Sequence, residues 1–160
     1  MTVLTSYGDP EPLGVTPRGD GVSVAVFSAH ATAIEFCVFE DERETRRVHL
    51  RGHIGDVFHD HVADVAPGAR YGLRAHGPFL PQEGHWFNPA KLLVDPYAIA
   101  IDRPFALHSS MFGHRADAPK DALSLDDTDS APFVPKGIVQ GPNPSSVLAS
   151  PLTPWPHTAM

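Results

Sequence analysis

Ten histidines, 19 carboxylic acids and a scatter of aromatic rings are the groups in this sequence that could do chemistry. His59 and His61 stand two apart in an alternating run. On a strand their side chains share a face, where Asp56 or His53 could join them around a cation. No second anchored pair and no H-E-x-x-H accompanies them, so they are expected to be strand-face histidines of a solvated sheet, and no metal is expected. Two-carboxylate hydrolysis needs an acid and a partner carboxylate held across a cleft. The Asp and Glu residues stand mostly in loop-like stretches such as Asp41-Glu42, Asp126-Asp127 and Asp129. They are expected to be solvated surface charges, and no catalytic residue is assigned. The one cysteine, Cys37, lies in an apolar run and reads as a buried thiol without a disulfide, as in a reducing compartment. No phosphate-binding glycine loop and no G-x-S-x-G is present, so neither a nucleotide cofactor nor any other cofactor is implied. The aromatic set is the most suggestive. Phe79, Trp86, Phe87, Tyr97 and Trp155 could stack on the C–H faces of sugar rings, or fasten a loop to a neighbouring domain.

The elements that position these groups read as strands. Val22–Ser28 places three valines on one face. Ala33–Phe39 alternates apolar residues on both faces and reads as covered on both sides. Arg46–Leu50, Asp56–Ala63 and Tyr71–Ala75 follow, with Gly52–Gly55 expected as a loop and Pro67-Gly68-Ala69 as a turn. Short strands separated by turn signals are the pattern of an all-β antiparallel sandwich. The longest helix candidate is about one turn, Ala90–Val94. Beyond Ala75, where 13 of the 17 prolines fall, the texture becomes irregular and orders only by packing on something else.

The size and charge of the chain narrow the function classes. With 160 residues it can build one domain with a core, and is too short for a sandwich plus a full α/β barrel. A formal net charge of −7 without a Lys/Arg cluster argues against nucleic acid and against an anionic membrane surface. No run approaches a membrane span and no leader is visible at the N-terminus, so a soluble, cytoplasmic protein is expected. Residues 1–105 are expected to form the sandwich and 106–150 an irregular linker. Residues 151–160, with their prolines and Trp155, are expected to form an entry into a further domain.

Long gapped motifs then carry a resemblance. Tyr71-Gly-Leu-Arg-Ala-His-Gly-Pro-Phe79, and Gly84-His-Trp-Phe-Asn-Pro-Ala-Lys-Leu-Leu-Val-Asp-Pro-Tyr97, resemble the signature of isoamylase-type bacterial glycogen debranching enzymes. Gly52-His53 with Gly55-Asp-Val-Phe-His59, and Ala131-Pro-Phe-Val-Pro-Lys136, match the same family, as do Pro12-Leu-Gly14 and Thr153-Pro-Trp155. Trp86 departs from it, standing where the family usually has Arg. The resemblance implies a family 48 carbohydrate-binding module, an immunoglobulin-like β-sandwich with a long irregular C-terminal extension. It implies a parent that hydrolyses α-1,6 branch linkages of glycogen or limit dextrin, with the catalytic acids on a (β/α)8 barrel that is absent here. The module would pack on that barrel and shape its substrate cleft, with α-glucan as a partner and self-association through the uncovered apolar patch. The alternative is a stand-alone glycogen-binding domain.

Overall fold

The computed structural model describes residues 7–115, 117 and 124–141. Its strands are β1 (Gly14–Arg18), β2 (Gly21–Phe27), β3 (Ala33–Glu40), β4 (Arg43–His49), β5 (Gly52–Ile54), β6 (Val57–Ala63), β7 (Arg70–His76), β8 (Phe79–Leu80), β9 (His85–Trp86) and β10 (Gly137–Ile138). One sheet has the order β1-β2-β6-β5, the second β10-β7-β3-β4, and β8 pairs with β9 as a small hairpin. Every pairing is antiparallel. The fold is the all-β sandwich that the alternation implies.

Period-two patterning explains the layers. Val22 and Val24 of β2, Phe58 and Val62 of β6, Ile34 and Phe36 of β3, and Tyr71 and Leu73 of β7 turn inward and close the core between the sheets. The opposite face of β3 is also dry. Cys37 and Phe39 pack there with Leu92, Ala131 and Val134, which come from the chain beyond the last long strand. The centre of the second sheet, β3 and β7, is therefore buried on both faces, as the apolar residues on both sides of β3 imply.

Several elements differ from expectation. Gly52–Ile54 is a strand paired with β6, not a loop. Residues Ala90–Val94 form no helical turn; Leu93 instead makes a β-bridge to Leu73. β1 contains Pro17 and is tolerated because it is an edge strand bonded only to β2. Residues 130–139, placed by the sequence in the linker, supply Ala131 and Val134 to the outer core, Val139 to the inner core, and the strand β10.

The histidine pair is not on a solvated face either. His59 is buried, and its Nδ1 lies 3.1 Å from the carbonyl of Tyr7, whose segment straps across the first sheet. Among the described residues no group of three or more His, Cys, Asp or Glu is placed to hold a metal ion. No helix among them is long and apolar enough to cross a membrane.

Candidate functional site

The signature residues between Tyr71 and Tyr97 spend their polar groups inward. Arg74 sits on the outer face of β7, opposite in sense to Leu73, and is 1% exposed. Its guanidinium donates to Glu44 and Asp129 at 2.9 Å each and to the Pro89 carbonyl at 3.0 Å. Asn88 donates from Nδ2 to the carbonyls of Gly113 and Asp126. Lys91 is buried, and its Nζ donates to the Ser110 carbonyl (2.8 Å), the Thr128 carbonyl (2.7 Å) and Asp126 (3.1 Å). Asp95 is buried too. It accepts the Tyr71 hydroxyl at 2.8 Å and the Tyr97 N–H at 2.9 Å. Farther along, Lys136 is fully buried, 5.3 Å above the Phe39 ring centroid and 3.4 Å from Glu42.

Four carboxyls expected in water are thus enclosed or engaged. Asp60 and Glu35 are buried, as is Asp95. Asp60 takes a bidentate pair from Arg51. Glu35 lies among Arg47, His49 and His76 on the outer face. Asp126 is held down to about 2 by the Thr128 hydroxyl and then the Lys91 ammonium. Among the described residues, the buried Glu35, Asp60 and Asp95 line none of the open clefts together in the manner of a hydrolytic pair. Burial pushes the Cys37 thiol up to about 12, which keeps it un-ionised and inert as the sequence implies. The Lys136 ammonium is lowered by burial, partly offset by Glu42.

Two glycines of the signature are dictated by close approach. A Cβ on Gly72 would lie 2.7 Å from Leu92, and one on Gly77 would lie 2.5 Å from the Phe87 ring. The loop after β7 therefore folds back flat on the sheet.

The aromatic candidates separate into three places. Phe79 and Trp86 are partners across the β8–β9 hairpin, ring centroids 6.0 Å apart and edge-on, with His114 at 5.7 Å from the indole. Trp86 is 45% exposed and lines an open cleft of about 360 Å³ with His30, His85, Asn88 and Leu93. Phe87 borders the same cleft but turns its ring onto Gly77 and the inner core. Tyr97 packs against Gly14 beside Pro12 and Leu13, away from the cleft. Trp155 lies outside the described residues.

Residues 12–98 match the family described as carbohydrate-binding module 48 (isoamylase N-terminal domain). The chain belongs to this family. Within it, the module is 42% identical over 161 residues to a protein named glycogen debranching enzyme of Salmonella typhi, and equally to that of Salmonella heidelberg. All of this chain is covered, but only 23% of those relatives' length. The fold recurs in the catalytic module of the glycogen-degrading pneumococcal virulence factor SpuA, with a TM-score of 0.52 at 16% identity over 85% of this chain and 17% of that one. The GBS pullulanase SAP, solved with maltotetraose, gives 0.51 at 14% identity over 81% of this chain and 14% of that one.

One feature of the family 48 module is not apparent from its sequence. Beside the buried Lys91, Asp95 and Lys136, the stretch 97–107 turns its apolar side chains out. Ile99 is 84% exposed, Leu107 70% and Phe105 65%, with Tyr97 and Ile101 beside them in sequence. Spacing gave no sign of this, because a buried lysine and a surface lysine are written alike.

Proposed function

We propose that this module is the accessory N-terminal sandwich of a glycogen-debranching glycoside hydrolase, packing on the catalytic barrel and helping to shape its substrate cleft. The inverted polarity of the extension carries the reading. Loops ordinarily hide apolar groups and hydrate charges. A rigidly pinned segment that does the reverse is the middle layer of something thicker, and a large partner domain is what covers it. The debranching relatives, more than four times the length of this chain, supply room for such a domain. The catalytic acids are assigned to that partner, and the Phe79–Trp86 hairpin to the rim of the cleft, where the indole stacks on a glucan ring.

The test replaces the aligned stretch of the Salmonella typhi enzyme by this chain. The chimera is expected to release reducing sugar from limit dextrin, and the isolated chain to release none. An inactive, well-folded chimera, together with strong retardation of the isolated chain by glycogen in affinity electrophoresis, would instead favour a stand-alone glucan binder. The uncovered face is also expected to make the isolated chain self-associate at high concentration in light scattering.

A further inference from the structure

Trp86 does not stand alone on its side of the hairpin. His114 lies 5.7 Å from its indole, and Phe112 lies 5.9 Å beyond His114, measured between ring centroids. With Phe79 at 6.0 Å on the other strand, four rings follow one another across the surface. Trp86 and Phe112 are exposed, and His114 is half-buried between them. The signature segment itself builds this row. Asn88, two residues past Trp86, donates to the Gly113 carbonyl at 3.1 Å and to the Asp126 carbonyl at 2.7 Å. Those bonds hold the stretch 113–115 beside the stretch 124–126, where His114 bridges Leu125. The Asp126 N–H donates to the Gly113 carbonyl, and the Arg115 N–H to the Ser124 carbonyl. A Cβ on Gly113 would lie 3.9 Å from the Trp86 carbonyl oxygen, so this short ladder runs against β9. The main chain around His114 is thus fixed on both sides. Phe112 and His114 stand beyond residues 12–98, the span matched by the family, so the longer row belongs to the extension.

We propose that a linear α-linked glucan of several glucose units lies across Trp86, His114 and Phe112. The inference rests on the reading that the Trp86 indole stacks on a glucan ring, and it lengthens that contact from one sugar to a chain. Aromatic faces pack on the C–H faces of sugars, and the imidazole adds ring nitrogens for their hydroxyls. The His114 plane is inclined 59° to the indole and 48° to the Phe112 ring. Successive faces therefore turn, as successive units of an α-linked chain turn. A flat β-linked ribbon meets one of them squarely and misses the next. Phe112 and His114 consequently select for chain length, because a short stub reaches Trp86 alone.

Titration of the full chain, followed by NMR at a concentration where light scattering finds a monomer, tests this with maltose, maltoheptaose and cellopentaose. Maltoheptaose is expected to shift the Trp86 indole and the side chains of His114 and Phe112 together. Maltose is expected to bind at least about 10-fold more weakly, and cellopentaose to shift none of the three. Phe112→Ala and His114→Ala are each expected to weaken maltoheptaose about 3- to 10-fold and to leave maltose unchanged. Phe112→Tyr keeps a ring and is expected to bind as the unaltered chain does, so that loss of fold cannot pass for loss of contact. If maltose and maltoheptaose bind at Trp86 equally and neither shifts His114 or Phe112, the row is refuted and the single-ring reading stands. If no sugar shifts Trp86, both fall. Equal affinity for cellopentaose and maltoheptaose overturns the α-linked assignment.

Discussion

Ending the chain at Phe105 keeps every long strand and the whole family match, yet it is expected to abolish a stable fold. The cut removes Ala131 and Val134 from over Phe39 and Leu92, and takes Val139 out of the inner core. Full burial of a side chain of that size contributes about 1.5–3 kcal/mol. Two re-exposed side chains and one deleted one therefore remove roughly 5–9 kcal/mol. Arg74 and Lys91 become solvated when their cover leaves, so no unpaired buried charge adds to that sum. A domain of this size holds about 5–15 kcal/mol in total. With a urea slope of about 1–3 kcal/mol per molar, the midpoint falls by at least about 2 M or the transition disappears. Circular dichroism against urea measures it, beside the full chain. A chain ending at Phe105 that unfolds cooperatively within about 0.5 M of the full chain would refute the outer core as part of the folding unit.

The remaining predictions concern single groups. Tyr71→Phe strands the buried Asp95 carboxylate without its 2.8 Å donor, and is expected to lower stability by about 1–3 kcal/mol in urea unfolding. The same phenol is held above its ordinary value by burial and then by Asp95. Its contribution is therefore complete below about pH 10 and lost as the pH rises past that. The alkaline decline of thermal stability should be shallower in Tyr71→Phe. The native Cys37 thiol, at about 12, should resist a thiol-specific disulfide reagent at pH 8 and react only on unfolding. Asp126, lowered to about 2, contributes stability that is present above its unfolded value and lost as the pH falls through about 2. Asp126→Asn should remove that part of the acid transition in a pH-jump fluorescence titration. Gly77→Ala drives a methyl into the Phe87 ring at 2.5 Å, and is expected to destabilise the molecule by about 1–3 kcal/mol in the same urea assay.

The sandwich was legible where one face carries the large apolar residues. The valines of β2 alternate because they fill the core between the sheets, whereas the opposite face, also buried, carries the small Ser23 and Ala25, and period two is then visible in the residue types. β3 was legible as doubly covered because Cys37 and Phe39 stand opposite Phe36. β1 was not, since Pro17 reads as a strand breaker unless the edge position is known. β5 has three residues, too few for any period. The extension escaped for a different reason: its order comes from Asn88, Lys91, Asp95 and Lys136, whose partners lie between two and 94 residues away. Sequence-local patterning cannot register bonds of that span. The aromatic candidates were legible as a set, but not their division between a hairpin, an inward-facing ring and a distant loop.

β3 carries Phe36 into one core and Cys37 with Phe39 into the other, so a single eight-residue stretch serves both interiors. Its neighbour β4 serves neither fully and is mostly open to water. In a saturation library the two strands should diverge sharply. Substitutions in β4 would be absorbed except at Glu44, which pairs the buried Arg74, and Val48, which packs on the inner core, while in β3 even and odd positions alike would be purged. A lineage could therefore redecorate this side of the molecule freely without ever being able to move the strand beneath it.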